Sequence, residues 1–252
     1  MAPPLPLRRP VDAFVTLVVW IYFLGGIVLL PPAYLVALVS GRPRAAIQRV
    51  HHWYLRGFFA LALLLAPGLR RRVDPTIRDI HGSIVVCNHR SYLDPLLLVT
   101  LFPRHTTFVK PVFFRVPVFG WALAAAGYLP AGGEVDKRLL RRMDRLRRHL
   151  EAGGNVFVFP EGRRARGTDV GPFRAGAFRL ARRFGAPVEL LRVDGTDRLF
   201  EPGRFLFHTC VPNELSVERL GRVALPGPDE PLGSWVEEVR RRYLPALRPD
   251  RP

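Results

Sequence analysis

Ile84-Val85-Val86-Cys87-Asn88-His89-Arg90-Ser91-Tyr92-Leu93-Asp94-Pro95 sets a histidine and a carboxylate five residues apart where an apolar strand gives way to a helix. Ile84 to Cys87 is a short apolar run bounded by Gly82 and Asn88, the pattern of a buried strand. Pro95 to Leu101 reads as the start of an apolar helix. On one continuous helix, residues five apart diverge by about 140° at 3.6 residues per turn. His89 and Asp94 therefore meet only if the histidine lies in the turn and the carboxylate in the first helical turn. Two readings stand side by side. A carboxylate on the far nitrogen of a neutral imidazole fixes its tautomer and stabilises the imidazolium, the base-plus-orienter arrangement of acyl transfer. Alternatively, Ser91-x-x-Asp94 is a helix capping box with its acid favoured by the helix dipole. The chain has no Gly-x-Ser-x-Gly nucleophile motif, so a base here would activate a hydroxyl brought by the substrate.

A second stretch, Asn155-Val156-Phe157-Val158-Phe159-Pro160-Glu161-Gly162-Arg163-Arg164, is again a strand running into a turn, and it ends in an acid and two arginines. By itself it reads equally as a Pro-Glu-Gly turn with surface arginines. Taken together, Asn-His-x-x-x-x-Asp and Phe-Pro-Glu-Gly-x-Arg, in this order and at this separation, resemble the glycerolipid acyltransferase family typified by 1-acylglycerol-3-phosphate acyltransferases. Lys110-Pro111 through Val116-Pro117-Val118-Phe119-Gly120-Trp121 to Gly127 is similar to that family's second block. Phe173-Arg174-Ala175-Gly176-Ala177 and Ala186-Pro187-Val188 are similar to the segment after its third block. The likeness covers roughly Val73 to Gly195. It implies His89 and Asp94 as catalytic residues, with Asn88, Lys110, Glu161, Gly162 and Arg164 binding substrate; Glu161 would hydrogen-bond the acceptor or brace the turn. One position departs from the resemblance. Where family members that use a phosphate-bearing acceptor have an arginine, counted from Gly127, this chain has Gly133. A bidentate arginine-to-phosphate fork has no glycine equivalent, so either Arg138 or another cation substitutes, or the acceptor is not a simple glycerol phosphate.

The chain of 252 residues has a net charge of +17, carried almost wholly by arginine because Lys110 and Lys137 are its lysines. Such a charge points to a polyanionic partner: anionic lipid, nucleic acid or an acidic carrier protein. Val11 to Val39 discriminates among these, since it is apolar apart from Asp12 and a few small polar residues and exceeds the ~20 residues of a membrane-spanning helix. Lipid is favoured and nucleic acid is not. Gly25-Gly26 and Pro31-Pro32 interrupt the run, and arginines flank both ends, which predicts a hairpin that dips into the membrane and returns to the cytoplasmic side rather than a single span. A cleaved signal peptide is disfavoured by the length of the run. Ala45 to Leu69 is too short to span comfortably and reads either as a helix against the membrane or under the domain, or as an ordinary core helix. His51-His52 have no acid or cysteine at ligand spacing and read as solvated or interfacial; the two cysteines, Cys87 and Cys210, form no metal or redox spacing.

Further along, Thr106 to Val109 reads as a strand delivering Lys110, and Val116 to Tyr128 as a helix after Pro117. Lys137 to Ala152 is an amphipathic helix stopped by Gly153-Gly154. Val156 to Phe159 is a strand expected beside the Cys87 strand. Phe173 to Phe184 is a helix, Val188 to Val193 and Phe205 to Val211 are strands, Glu214 to Pro231 is weakly patterned, and Trp235 to Leu244 is a terminal helix. The expected architecture is α/β, a mixed sheet flanked by helices, with a membrane-associated helical region over residues 1–70 and a catalytic domain over 71–252. The expected activity is transfer of a fatty acyl group from an acyl thioester to a lysolipid hydroxyl at the cytoplasmic face of a membrane, such as a bacterial inner membrane. The donor would be acyl-coenzyme A or acyl carrier protein as co-substrate, with no metal and no other cofactor. The most direct acceptor is 1-acylglycerol-3-phosphate, giving phosphatidate. Alternatives are a non-glycerophosphate lysolipid such as a lyso-aminolipid, a thioesterase, or a basic membrane-surface adaptor without catalysis.

Overall fold

The computed structural model describes residues 5–132, 137–165, 170–227 and 229–244. Its helices are α1 (Leu5–Leu38), α2 (Pro43–Leu65), α3 (Leu93–Val99), α4 (Phe119–Ala125), α5 (Lys137–Glu151), α6 (Gly176–Phe184), α7 (Thr196–Leu199) and α8 (Leu232–Arg241). Its strands are β1 (Leu69–Val73), β2 (Ile84–Cys87), β3 (His105–Val109), β4 (Leu129–Pro130), β5 (Asn155–Val158), β6 (Val188–Asp194) and β7 (Asn213–Val223). The chain divides into two compact units, one formed by Met1–Arg72, Ser91–Glu134 and Asp194–Ser216, the other by Val73–Arg90, Val135–Val193 and Val217–Pro252.

In the second unit β2 lies between β5 and β6, parallel to both, with Ile84 opposite Val156 on one side and Val188 on the other. All of β2 and β5 is buried, as is β6 up to Val193. Continuous apolar, β-branched runs are what a parallel strand covered on both faces requires. Asn155 fixes the register, because its side-chain oxygen accepts from the Ser83 N–H (3.1 Å) and its amide donates to the Ile80 carbonyl (2.7 Å). On the outer side of β6 lies β7. The pairs Arg192–Glu218 (3.0 Å) and Arg219–Glu189 (2.9 Å) run in opposite order along the two strands, which makes this pairing antiparallel and the sheet mixed. Glu189 is fully buried and receives Arg222 (2.7 Å) as well as the Arg219 fork.

β7 corrects two expectations. The weakly patterned stretch Glu214 to Pro231 contains all but the first residue of this 11-residue strand, and its charged side chains, which obscured the period, make ion pairs across to β6. Phe205 to Val211, expected as a strand, is irregular. Three of its backbone N–H groups go to side chains of α1: Phe207 N–H to Thr16 Oγ1 (2.9 Å), and Thr209 and Cys210 N–H to the Asp12 carboxylate (2.7 and 3.1 Å). Helix α6 starts three residues later than Phe173, because the Arg174 N–H is taken by the Pro160 carbonyl (2.8 Å) and Phe173 packs on Phe178 and Tyr243.

In the first unit α1 is one helix of 34 residues that runs through Gly25-Gly26 and contains Pro31 and Pro32. The expected hairpin within this run is therefore not formed; the antiparallel return is made by α2, packed along α1. Gly26 and Gly57 permit that contact, since a Cβ at either would strike the ring of Tyr54 or Tyr22. Of the two alternatives for His51 and His52, solvated or interfacial, the solvated one is not met, because both are packed. His51 Nε2 meets the Tyr34 hydroxyl (2.6 Å), and His52 Nδ1 the Val99 carbonyl (2.9 Å). β3 and β4 pair in parallel, and between them come a 3-10 turn, Pro111–Arg115, and α4. Val118, at φ 61° and ψ −53° with the Phe119 N–H on the Pro117 carbonyl, is a γ-turn of the strained hand.

Candidate active site

Because β2 and β5 are adjacent and parallel, with Val86 opposite Val158, both deliver their turns at the same end of the sheet. The turn after β2 carries Asn88 and His89; that after β5 carries Glu161, Gly162 and Arg164. Asn88 is buried and pairs twice with the backbone of β6, its amide donating to the Val193 carbonyl (2.8 Å) and its oxygen accepting the Val193 N–H (2.8 Å). This holds the end of β2 in place immediately before the histidine. The half-buried His89 ring stacks on Phe159, centroids 4.3 Å apart.

The two turns are also joined through their backbones. The buried Glu161 carboxylate accepts the His89 N–H with one oxygen (3.0 Å) and the Gly171 N–H with the other (3.1 Å), while the His89 carbonyl accepts the Ala165 N–H (2.7 Å). Of the two roles open to Glu161, bracing is therefore present in the fold. Gly162 has φ 67°, and a Cβ on it would lie 2.8 Å from the Arg174 guanidinium, so this reversal needs glycine. Arg164 is half-buried and Arg163 exposed.

Asp94 belongs to the first unit. It is fully buried in the first turn of α3, where sequence spacing put it. One carboxylate oxygen accepts the Ser91 N–H (2.7 Å), the reciprocal bond of a capping box, and the Ser91 hydroxyl accepts the Leu93 N–H (3.3 Å). The other oxygen accepts the Thr196 hydroxyl. Each carboxylate oxygen has a second lone pair, so the cap and an orienting role are compatible. Thr196 escaped the sequence reading. The available signal was Gly195, directly after β6: at φ 83°, with a Cβ that would sit 2.1 Å from the Glu214 carbonyl, it turns the chain so that the next residue enters the core. Lys110 follows β3 and is exposed at the start of the 3-10 turn. Gly133 lies outside the described residues, and so does the side chain of Arg138.

One contact comes from far along the chain. Tyr243, just beyond α8, is fully buried and donates to the Val86 carbonyl in β2 (2.8 Å). Burial pushes its phenol well above the ordinary value, and the neighbouring Cys87 and Glu161 add to the effect. The hydroxyl is thus held as a neutral donor three residues before His89.

The family described as acyltransferase matches residues 71–189, the segment that contains both turns. The chloroplast 1-acyl-sn-glycerol-3-phosphate acyltransferase BAT2 of Brassica napus is 36% identical over 123 residues, which is 48% of this chain and 35% of the relative. The 1-acyl-sn-glycerol-3-phosphate acyltransferase of Haemophilus influenzae is 27% identical over 135 residues, 53% of this chain and 56% of the relative. This chain thus spans about a third to about half the length of these relatives. The crystal structure of the 1-acyl-sn-glycerophosphate (LPA) acyltransferase PlsC from Thermotoga maritima superposes with a TM-score of 0.71 at 20% identity, covering 95% of this chain and 98% of that one, a likeness of fold. The fold, the matched segment and the two motif-bearing turns agree, and over residues 71–189 the chain is similar to the glycerolipid acyltransferase family.

Proposed function

We propose that the protein transfers a fatty acyl group from an acyl thioester to the free hydroxyl of 1-acylglycerol-3-phosphate, giving phosphatidate. The observation that carries this reading is the pair of turns at the end of β2 and β5, in which Glu161 locks the His89 backbone to the turn bearing Arg164. His89 takes the hydroxyl proton as the oxygen attacks the thioester carbonyl, forming the new C–O bond. The tetrahedral oxyanion then collapses, the C–S bond breaks, and the imidazolium returns its proton to the departing thiolate. Asp94 orients the imidazole. Arg164 meets the acceptor's phosphate through charge-assisted bonds, with Lys110 as a second cation and Asn88 and Gly162 shaping the turns. The donor is acyl-coenzyme A or acyl carrier protein. The substrate named in the relatives' descriptions supports the acceptor.

Attachment to the cytoplasmic face of a membrane is part of the same reading, and α1 supports a particular form of it. Arg8–Leu38 is long and apolar enough to span, with a mean hydropathy of 2.5. Yet Asp12 and Thr16 at one end hold the backbone of Phe207 to Cys210, and Tyr34 at the other holds His51 and Trp121. Asp12 and Tyr34 are roughly 33 Å apart at 1.5 Å per residue, about the whole hydrocarbon thickness of ~30 Å. Crossing would carry the segments bonded to the two ends of α1 to opposite sides of the hydrocarbon or into it, although they belong to one compact unit. The helix therefore lies in the plane of the membrane, protein on one side and lipid on the other.

The test is a reaction of the full chain in mixed vesicles with an acyl thioester, with and without lysophosphatidate, followed by mass spectrometry of the lipids. Phosphatidate that requires the acceptor supports the proposal. Free fatty acid released equally fast without acceptor replaces it with a thioesterase.

A further inference from the structure

Helix α8 lies beyond the segment matched to the family, residues 71–189, yet its side chains are bonded into the framework of the two turns. We propose that Arg240 is a positioning residue for acceptor binding: it fixes the peptide that Glu161 grips, and through Glu161 it sets the turn that carries Arg164. This rests on the acyl-transfer reading above.

The geometry is a clamp on one peptide unit. The Val170 carbonyl accepts Arg240 Nη2 (3.2 Å), and the N–H of the same peptide, on Gly171, donates to Glu161 Oε2 (3.1 Å). A cation on the carbonyl and an anion on the amide polarise that peptide in the same direction, so each bond strengthens the other. Arg240 Nε takes the next carbonyl, Gly171 (3.1 Å), and Nη1 takes Glu237 Oε1 (2.8 Å), which leaves the guanidinium plane a single orientation. Its side chain is three-quarters buried, at 25% exposure, where these bonds are little weakened by water. On the far side of the clamp, Glu161 Oε1 holds the His89 N–H (3.0 Å). Arg240 thus governs whether Glu161 keeps one oxygen for each partner. Without it, the Val170–Gly171 peptide is held on its amide side alone, and the Glu161 carboxylate loses the fixed partner that spaces the Phe159–Ala165 turn from the rest of the unit. Lysine cannot substitute fully, because a point donor does not fork to two adjacent carbonyls while also reaching Glu237.

The consequence should fall on acceptor binding rather than on the proton transfer, because Arg164 is the group displaced. Steady-state kinetics with lysophosphatidate are measured on the full chain, Arg240→Ala, Arg240→Lys and Glu237→Gln, alongside thermal melting. Arg240→Ala should raise KM for lysophosphatidate by about tenfold with kcat within about threefold, the signature of lost binding rather than lost transition-state contact. Arg240→Lys should fall between, and Glu237→Gln, which keeps both carbonyl bonds, should stay within about twofold of the parent. Guanidinium ion at low concentration should lower the KM of Arg240→Ala, relative to sodium at equal ionic strength, and leave the parent unchanged. An unchanged KM in Arg240→Ala overturns the inference. So does a loss confined to the amount of folded enzyme, with a lower melting point and no guanidinium rescue, which would make Arg240 a stability residue only. If the unaltered chain makes no phosphatidate, it is the acyl-transfer reading that fails, and the two failures are told apart.

Discussion

Asp94 holds a backbone N–H on one carboxylate oxygen and a threonine hydroxyl on the other, so its substitution separates a cap from an orienter. If the cap were its sole role, Asp94→Asn would cost about 0.5–2 kcal/mol of stability and leave turnover intact. The orienting role proposed here requires a folded protein whose turnover collapses, and melting and rate on that one variant decide the matter. His89→Ala should lower kcat by at least the roughly 10²–10⁴ that a positioned base supplies, with little change in melting, because the interactions that fix its turn are made by its backbone. Thr196→Val leaves a fully buried carboxylate oxygen short of its hydroxyl, a loss of about 1–3 kcal/mol, while Thr196→Ser restores the donor. Restored activity in Ser with lost activity in Val would tie the hydroxyl to Asp94; equal activity in both would disconnect it. The division between legible and illegible residues follows sequence distance. His89, Asp94, Glu161 and Gly162 stand in local strand-turn spacings that the resemblance to a family could single out. Thr196 and Tyr243 reach the same elements from 102 and 157 residues away, and Arg240 does so through a peptide carbonyl, for which no side-chain pattern exists.

Elements that obey one period were readable, and those serving two environments were not. β2 and β5 are buried on both faces and appear in the sequence as apolar runs within a residue of their observed positions, and β6 was found from its apolar residues although Glu189 and Arg192 interrupt them. β7 is written in charges because its partners across the sheet edge are charges. α1 carries apolar residues on its buried and exposed faces alike, so the apolar run was evident while its continuity was not: Gly25-Gly26 and Pro31-Pro32 suggested a break, and the helix runs through them. Two elements in the first unit carry measurable strain or cost. Val118 holds a γ-turn that a β-branched residue disfavours. Strain of about 1–3 kcal/mol exceeds the ~0.5–1 kcal/mol entropic cost of glycine, so Val118→Gly should raise the melting point in detergent, and a lowered one would show that the Val118 side chain contributes more than its backbone costs. His51, on α2, is the second case, since burial holds its imidazole at about 4, below the ordinary 6.5. The unfolded chain takes up a proton more readily than the folded one, so this contribution is complete above pH 6.5 and drains as pH falls towards 4, by on the order of 3 kcal/mol. Melting of the parent should drop between pH 7 and 5 more steeply than that of His51→Phe; parallel curves would remove His51 from the account.

At the scale of the whole chain, the issue is which side of a membrane each end of α1 occupies. Phe14, Leu17, Ile21, Leu24, Val28 and Leu35 are all exposed and recur at steps of three, four or seven, which puts them on one face. Asp12, Val15, Thr16, Val19, Tyr34 and Ala37 are buried on the other. An in-plane helix of this kind leaves both of its ends in water on the same side, whereas a span separates them. Arg9 and Gly41 are exposed near the two ends, and the native Cys87 and Cys210 are buried, so single cysteines placed at 9 or 41 report position. With the protein bound to the outside of sealed vesicles, an impermeant thiol reagent should label both Arg9→Cys and Gly41→Cys. Protection of either one until detergent is added would establish a span and end the in-plane reading. Binding itself should resist salt, because burial of apolar side chains does not depend on fields that are screened beyond about 8–10 Å at physiological ionic strength. Changing Leu17, Ile21 and Leu24 together to Gln should release the protein in flotation while its melting stays near the parent's, since these side chains point away from the residues that hold α1 to α2 and to Phe207–Cys210. If high salt alone strips the unaltered protein, arginine contacts rather than this face carry the attachment, and the net charge of +17 becomes its explanation.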